Sequence, residues 1–157
     1  ALMIKINVIT NERNWFKYIK RPNFYLDKKI KKLNPSLKVF KKKHIFCTLL
    51  LSGSKEIKHL NKKFRKKNKV TDVLSFPFHS KKELKKKLRK DKEIYLGDII
   101  INLNKVASKN DSKNFISQFD QLWIHGLVHL FGHDHKKYKD YKKMHQVENF
   151  FFNLVND

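Results

Sequence analysis

The sequence predicts one domain that mixes β-strands with α-helices, and three observations carry that prediction. Its 157 residues fit one domain of ordinary size, long enough to bury a core without disulfides. Hydrophobic residues make up 40% of the chain and aromatics 13%, enough apolar surface to offset the ordering entropy and to exclude global disorder. Segments with a period of two alternate with segments of helical period, without internal repeats or a Gly/Ser linker, and Pro22, Pro35 and Pro77 are too scattered to mark a boundary. Residues 1–157 are therefore expected to form a single domain. Ala1 and Leu2 precede a natural start at Met3 and are expected to carry no function.

Alternating Ile4, Ile6 and Val8 predict a first strand, and a polar stretch then leads to a helix over Phe24 to Leu33, broken at Asn34-Pro35. His44 to Ser52 read as a second, more buried strand. Ser52-Gly53-Ser54 offers an N-cap, and Ile57, Leu60, Asn61 and Phe64 fall at helical spacing. Val73, Leu74, Phe76 and Phe78 predict a third strand at a sheet edge, because Pro77 has no N–H for a ladder. Residues 79 to 93 read as a lysine-rich excursion. A fourth strand, Ile94 to Ile101, carries Gly97-Asp98 in its middle, where glycine signals a bulge or a close backbone approach. Three helices follow: Leu103 to Lys109, a long one through Phe115 and Leu130 that ends at Gly132, and Tyr138 to Val155. Met144, Val147, Phe151 and Leu154 share one face of the last, and the phenylalanines at 150 to 152 are expected to pack in the core.

Charge and cysteine content narrow the function classes. Lys and Arg number 37 against 14 Asp and Glu, a net charge of +23 that attracts polyanions such as nucleic acid. Only Arg13, Arg21, Arg65 and Arg89 are arginine, and alanine occurs twice, the usage of an AT-rich coding bias. The charge permits RNA binding without identifying it. The lone Cys47 excludes an intrachain disulfide framework and any CxxC site, which suits the reducing cytoplasm. No stretch approaches the roughly 18 to 20 uncharged apolar residues of a membrane span, and no secretory leader is legible, so neither membrane insertion nor secretion is expected.

Four of the eight histidines fall in HGLVHLFGHDH, His125 to His135. His125 and His129 are four apart, so both imidazoles leave one helical face a turn apart, as two ligands of one metal must. Gly132 can adopt the left-handed conformation that ends a helix and turns the chain, letting His135 approach from the side. Three neutral nitrogens around zinc would leave an open position, the mark of a catalytic metal. The spacing H-x3-H-x2-G-x2-H is also that of the metzincin proteases, where a glutamate after the first histidine is the general base. Here that position is Gly126, which weakens a peptidase reading.

HGLVHLFGHDH resembles the signature of the YbeY family, bacterial zinc-dependent endoribonucleases of small-subunit ribosomal RNA maturation. NKKFRKKNKVTDVLSFPF, Asn61 to Phe78, is similar to the family's second block, with Arg65 at its characteristic arginine, and LGDIII, Leu96 to Ile101, is similar to its third. Met144 and Glu148 also sit where the family usually has them. The resemblance implies a compact α+β fold related to zincins, a small mixed β-sheet packed with helices. It further implies one zinc ion held by His125, His129 and His135, and cleavage of single-stranded RNA in maturation of the 3′ end of 16S ribosomal RNA and in ribosome quality control. The implied partners are the small subunit and its assembly proteins. Arg65 suits the role of gripping the scissile phosphate through two parallel hydrogen bonds.

The chain departs from the family at Val128, which replaces a usual leucine, and at His133, which replaces a usual tyrosine and could compete with His135 if the helix continued through Gly132. Asp72, Ser75 and Asp98 could line the cleft, and Asp134 could orient a ligand or simply make a local turn. His44, His59, His79 and His145 read as isolated surface or strand-end residues, and Cys47 as strand packing. Two other readings stay open: a ribosome-assembly or RNA-binding factor with structural zinc, and a metallopeptidase.

Overall fold

The computed structural model describes residues 3–107 and 111–157. Four strands, β1 (Ile4–Thr10), β2 (His44–Ser52), β3 (Val73–Pro77) and β4 (Glu93–Asn102), form one mixed sheet in the order β1-β2-β4-β3. β1, β2 and β4 run parallel, and β3 lies antiparallel to β4 at the edge that Pro77 predicts. The fold is α+β, as expected.

Parallel neighbours need crossover connections. β1 reaches β2 through α1 (Pro22–Leu33) and a 3-10 segment, Asn34–Phe40, so the break at Asn34-Pro35 tightens the helix rather than opening a loop. α1 starts two residues earlier than the periodicity indicates because Pro22 occupies its first turn, where a missing N–H loses nothing. β2 leads into α2 (Ser54–Arg65), capped by the backbone of Gly53, while the Ser52 hydroxyl donates to Glu56.

The excursion over 79 to 93 contains a helix, α3 (Lys81–Lys90). The Ser80 side chain accepts the Glu83 N–H at 3.2 Å, and Leu84, four residues before Leu88, is driven into the core. Lysines dominate its exposed turns without opposing helix formation.

β4 carries the expected irregularity. Phe46 pairs with Tyr95 and Thr48 with Asp98, so Leu96 and Gly97 together face Cys47 alone. Gly97 has φ +136°, and a β-carbon there would stand 2.2 Å from the Phe76 carbonyl oxygen. Bulge and close backbone approach occur at the same residue.

After β4 come α4 (Leu103–Ala107), α5 (Ser112–Leu130) and α6 (Tyr138–Val155). The expected continuation of α4 to Lys109 lies outside the described residues. Alternate β4 residues point to opposite faces. Ile99 and Ile101 join the main core under α5, whereas Ile100 packs with Leu74 and Ile57 under α2. α1, α5 and α6 thus share one side of the sheet and α2 takes the other. The Phe150–Phe152 run corrects the core expectation: Phe151 is buried, Phe152 half-buried, and Phe150 53% exposed. Consecutive helical residues do not share a face, so three cannot enter one core. Among the described residues no helix is long and apolar enough to cross a membrane.

Candidate metal centre

α5 is N-capped by Asp111, whose side chain accepts the Asn114 N–H at 2.9 Å, and ends at Leu130. Gly132 follows with φ +99°, its N–H donating to the His129 carbonyl at 2.9 Å. That turn closes the helix as expected and separates His133 from the α5 face. His133 lines a separate cavity with Phe40, Leu88 and Phe151, so it does not continue the stripe of His125 and His129.

Each helical imidazole is held through Nδ1. That of His125 bonds the Glu148 carboxylate of α6, and that of His129 donates to the His133 carbonyl at 2.9 Å. Both Nε2 atoms are left to face a ligand, the orientation that outer partners give to metal-binding histidines. The Glu148 hydrogen bond raises the His125 pKa above its ordinary value despite partial burial, whereas burial lowers that of His129. His135, on the turn after Gly132, has its ring centroid 6.2 Å from that of His125. Asp134 accepts the backbone N–H groups of His135 and Lys136 at 2.6 and 3.1 Å, which makes it a turn residue first.

The donor type suits zinc: imidazoles, of which those of His125 and His129 are oriented through Nδ1. Among the described residues no group of three His, Cys, Asp or Glu side chains is placed to hold a metal ion. His125 and His129 are set by one helix, whereas His135 is exposed and set by its loop.

Beside His125 opens a cleft of about 420 Å³ between α5, α6 and the start of β3. Asp72 and Glu148 line it, as do Gln118, Gln121, Asn149 and Phe152. His145 lines it too, so it is not the isolated residue its sequence position indicates. Asp98 does not: it accepts the Tyr95 hydroxyl and lines an apolar groove with Leu60 and Phe64 on the α2 side. Ser75 pairs with Ile99 in the ladder. Arg65 is the exposed last residue of α2, across the sheet from α5, and is not among the residues lining the cleft. The segment after it comes round to Asp72.

Glu148 was legible as a position and not as the partner of His125, because residues 23 apart on different helices show no pairing in a linear pattern. Gln118, Gln121 and His125 lie on one stripe of α5, and His145, Glu148, Asn149 and Phe152 on one stripe of α6. Polar residues at helical spacing beside the histidines are the signal for this cleft.

Residues 9–156 match the family model described as Endoribonuclease YbeY. The chain is 44% identical to the endoribonuclease YbeY of Pelagibacter ubique over 98% of this chain and 97% of that one. It is 31% identical to that of Ehrlichia canis, over 93% and 88%. The solution structure of TM1509 from Thermotoga maritima superposes with a TM-score of 0.51 at 23% identity, covering 98% of this chain and 89% of that one, a likeness of fold. These matches define an enzyme of the endoribonuclease class. More particularly, the chain belongs to the YbeY family.

Proposed function

We propose that residues 1–157 act as one metal-dependent hydrolase domain that cleaves single-stranded ribosomal RNA, in maturation of the 3′ end of the small-subunit RNA and in ribosome quality control in the cytoplasm. The observation that supports this most is the pair of α5 imidazoles, each held at Nδ1 and open at Nε2, in a chain of this family. His125, His129 and His135 would hold one zinc ion. When bound, it supplies Lewis acidity to a phosphoryl oxygen or to water.

The chain's own residues do the rest. Glu148 and the His133 carbonyl fix the tautomer and direction of the two helical ligands. Arg65, exposed at the end of α2 and without an ion pair among the described residues, would grip the scissile phosphate through its two-pronged guanidinium only from a strand that rounds the β3 edge, since α2 and α5 lie on opposite faces of the sheet. The net charge of +23 draws in the strand and the small subunit's RNA, the setting in which assembly proteins are met. A peptidase reading loses ground at Gly126, which supplies no carboxylate base, and a β-carbon there would stand 2.7 Å from Ile99 Cγ2, so any side chain would have to displace Ile99.

The test is cleavage of a single-stranded ribosomal RNA fragment by zinc-quantified protein, comparing wild type with His129→Ala and Arg65→Ala. Loss of cleavage in both folded variants is expected. Equal cleavage by all three overturns the assignment, and a zinc-loaded wild type that binds RNA without cutting it puts a non-catalytic assembly factor in its place.

A further inference from the structure

We infer that the cleft beside His125 is a nucleobase subsite, which takes one unpaired base bearing an exocyclic amino group. This rests on the endoribonuclease reading above and adds to it the recognition of one residue of the strand.

The first observation is electrostatic. In a chain with 37 basic and 14 acidic residues, no lysine or arginine among the described residues lines this cleft; of its two carboxylates, Glu148 is engaged by His125 and lies 3.9 Å from His145, while Asp72 makes no ion pair among the described residues. A phosphate is disfavoured beside the unpaired Asp72, while the surrounding surface of this basic chain attracts it. A neutral base suffers no such repulsion, and its amino group can donate to a carboxylate. The strand is thereby divided, with its backbone outside and one base within.

The second observation is the polar lining. Gln118 and Gln121 come from α5 and Asn149 from α6. Each carboxamide offers a donor and an acceptor, and among the described residues none of the three makes a side-chain hydrogen bond. Such groups read the Watson–Crick edge of an unstacked base. Beside them the half-buried Phe152 supplies an aromatic wall for its face. At about 420 Å³, the cleft is within the size range of small-ligand sites.

Uracil has no exocyclic amino group, so it is the base this lining disfavours. The experiment is fluorescence anisotropy of zinc-loaded protein with labelled oligo(A), oligo(C) and oligo(U) of equal length at one fixed salt concentration. Wild type is compared with Gln121→Ala/Asn149→Ala, whose two positions are exposed on helices, with circular dichroism to confirm folding. Wild type is expected to bind oligo(A) and oligo(C) about tenfold tighter than oligo(U), and the double variant to bind all three about as weakly as oligo(U). Equal wild-type binding of the three, or a preference retained in the variant, overturns the subsite and leaves the endoribonuclease reading standing. A wild type that neither binds these strands nor cleaves single-stranded RNA overturns both.

Discussion

Gly126 lies flat against Ile99: a β-carbon on residue 126 would stand 2.7 Å from Ile99 Cγ2 and 3.0 Å from its Cγ1. The absence of a side chain at 126 is what lets α5 settle onto β4 with His125 and His129 at the fixed height of that helix. Alanine in mid-helix ordinarily adds about 1 kcal/mol over glycine. Here Gly126→Ala is expected to destabilise the protein by about 1–2 kcal/mol, because the overpacking term of about 1–3 kcal/mol exceeds the propensity gain. Denaturant unfolding of Gly126→Ala in the wild-type and Ile99→Ala backgrounds checks this, and the position 126 substitution should cost less where both γ-carbons are gone.

The two helical histidines should titrate apart in the metal-free protein. The Glu148 hydrogen bond raises the His125 pKa above the ordinary 6.5, and burial lowers that of His129 below it. As pH falls, His125 therefore takes its proton first. The charged His125–Glu148 pair stabilises the fold below pH 6.5, and that contribution is lost as pH rises through the raised value. His129 has the opposite sign, contributing above 6.5 and losing its contribution as pH falls through the lowered value. Imidazole chemical shifts measured by NMR give the order. Glu148→Gln should remove the elevation at His125 and weaken zinc binding by about 10- to 100-fold, read by competition with a chromophoric chelator.

Asp120 is wholly buried on α5, where its Oδ1 accepts the Tyr25 hydroxyl at 2.8 Å and the Trp123 indole N–H at 2.9 Å. Lys29 stands 3.4 Å from Oδ2, an ion pair rather than an aligned hydrogen bond, and also donates to the Val155 carbonyl at 3.2 Å. One carboxylate thus ties α1 to α5, and Lys29 extends the tie to the end of α6. Lys29→Met should cost about 3 kcal/mol by stranding a buried charge, and Tyr25→Phe about 1–2 kcal/mol. Equilibrium unfolding would show a reversed order if the charge were unimportant.

Legibility in the sequence followed how local each feature is. The strands announced themselves by alternation, and the β4 bulge by one glycine. The histidines of α5 were legible because helical spacing alone puts them on one face. α3 was not, since only Leu84 and Leu88 interrupt its lysines, although Ser80 followed three residues later by Glu83 was a start signal in plain view. The cleft was hidden for a different reason: it exists only where α6 crosses α5, and that crossing is set by tertiary packing around Met144 and Phe151. Arg65 was legible as an unusual arginine, but its place across the sheet from α5 depends on tertiary packing, where Ile57 of α2 meets Leu74 and Ile100.

Cys47 is fully buried on β2, and burial pushes its thiol from an ordinary 9.0 up to about 12. The folded state holds this proton more tightly than the unfolded chain does. Its contribution is therefore intact below about pH 9 and lost as pH climbs toward 12. At pH 8 the native thiol should react with a disulfide reagent only as fast as the protein opens, and denaturant should accelerate labelling in step with unfolding. Immediate stoichiometric labelling of the native protein would contradict this.

The most direct measurement of the central claim is the rate of single-stranded RNA cleavage as a function of zinc bound per chain, after chelation and stepwise metal return, in wild type and His135→Ala. Cleavage should rise in proportion to occupancy and level off at one zinc per chain, while His135→Ala binds zinc weakly and stays inactive at every step. A cleavage rate that ignores occupancy, or a His135→Ala variant as active as wild type, would contradict a histidine-held catalytic metal.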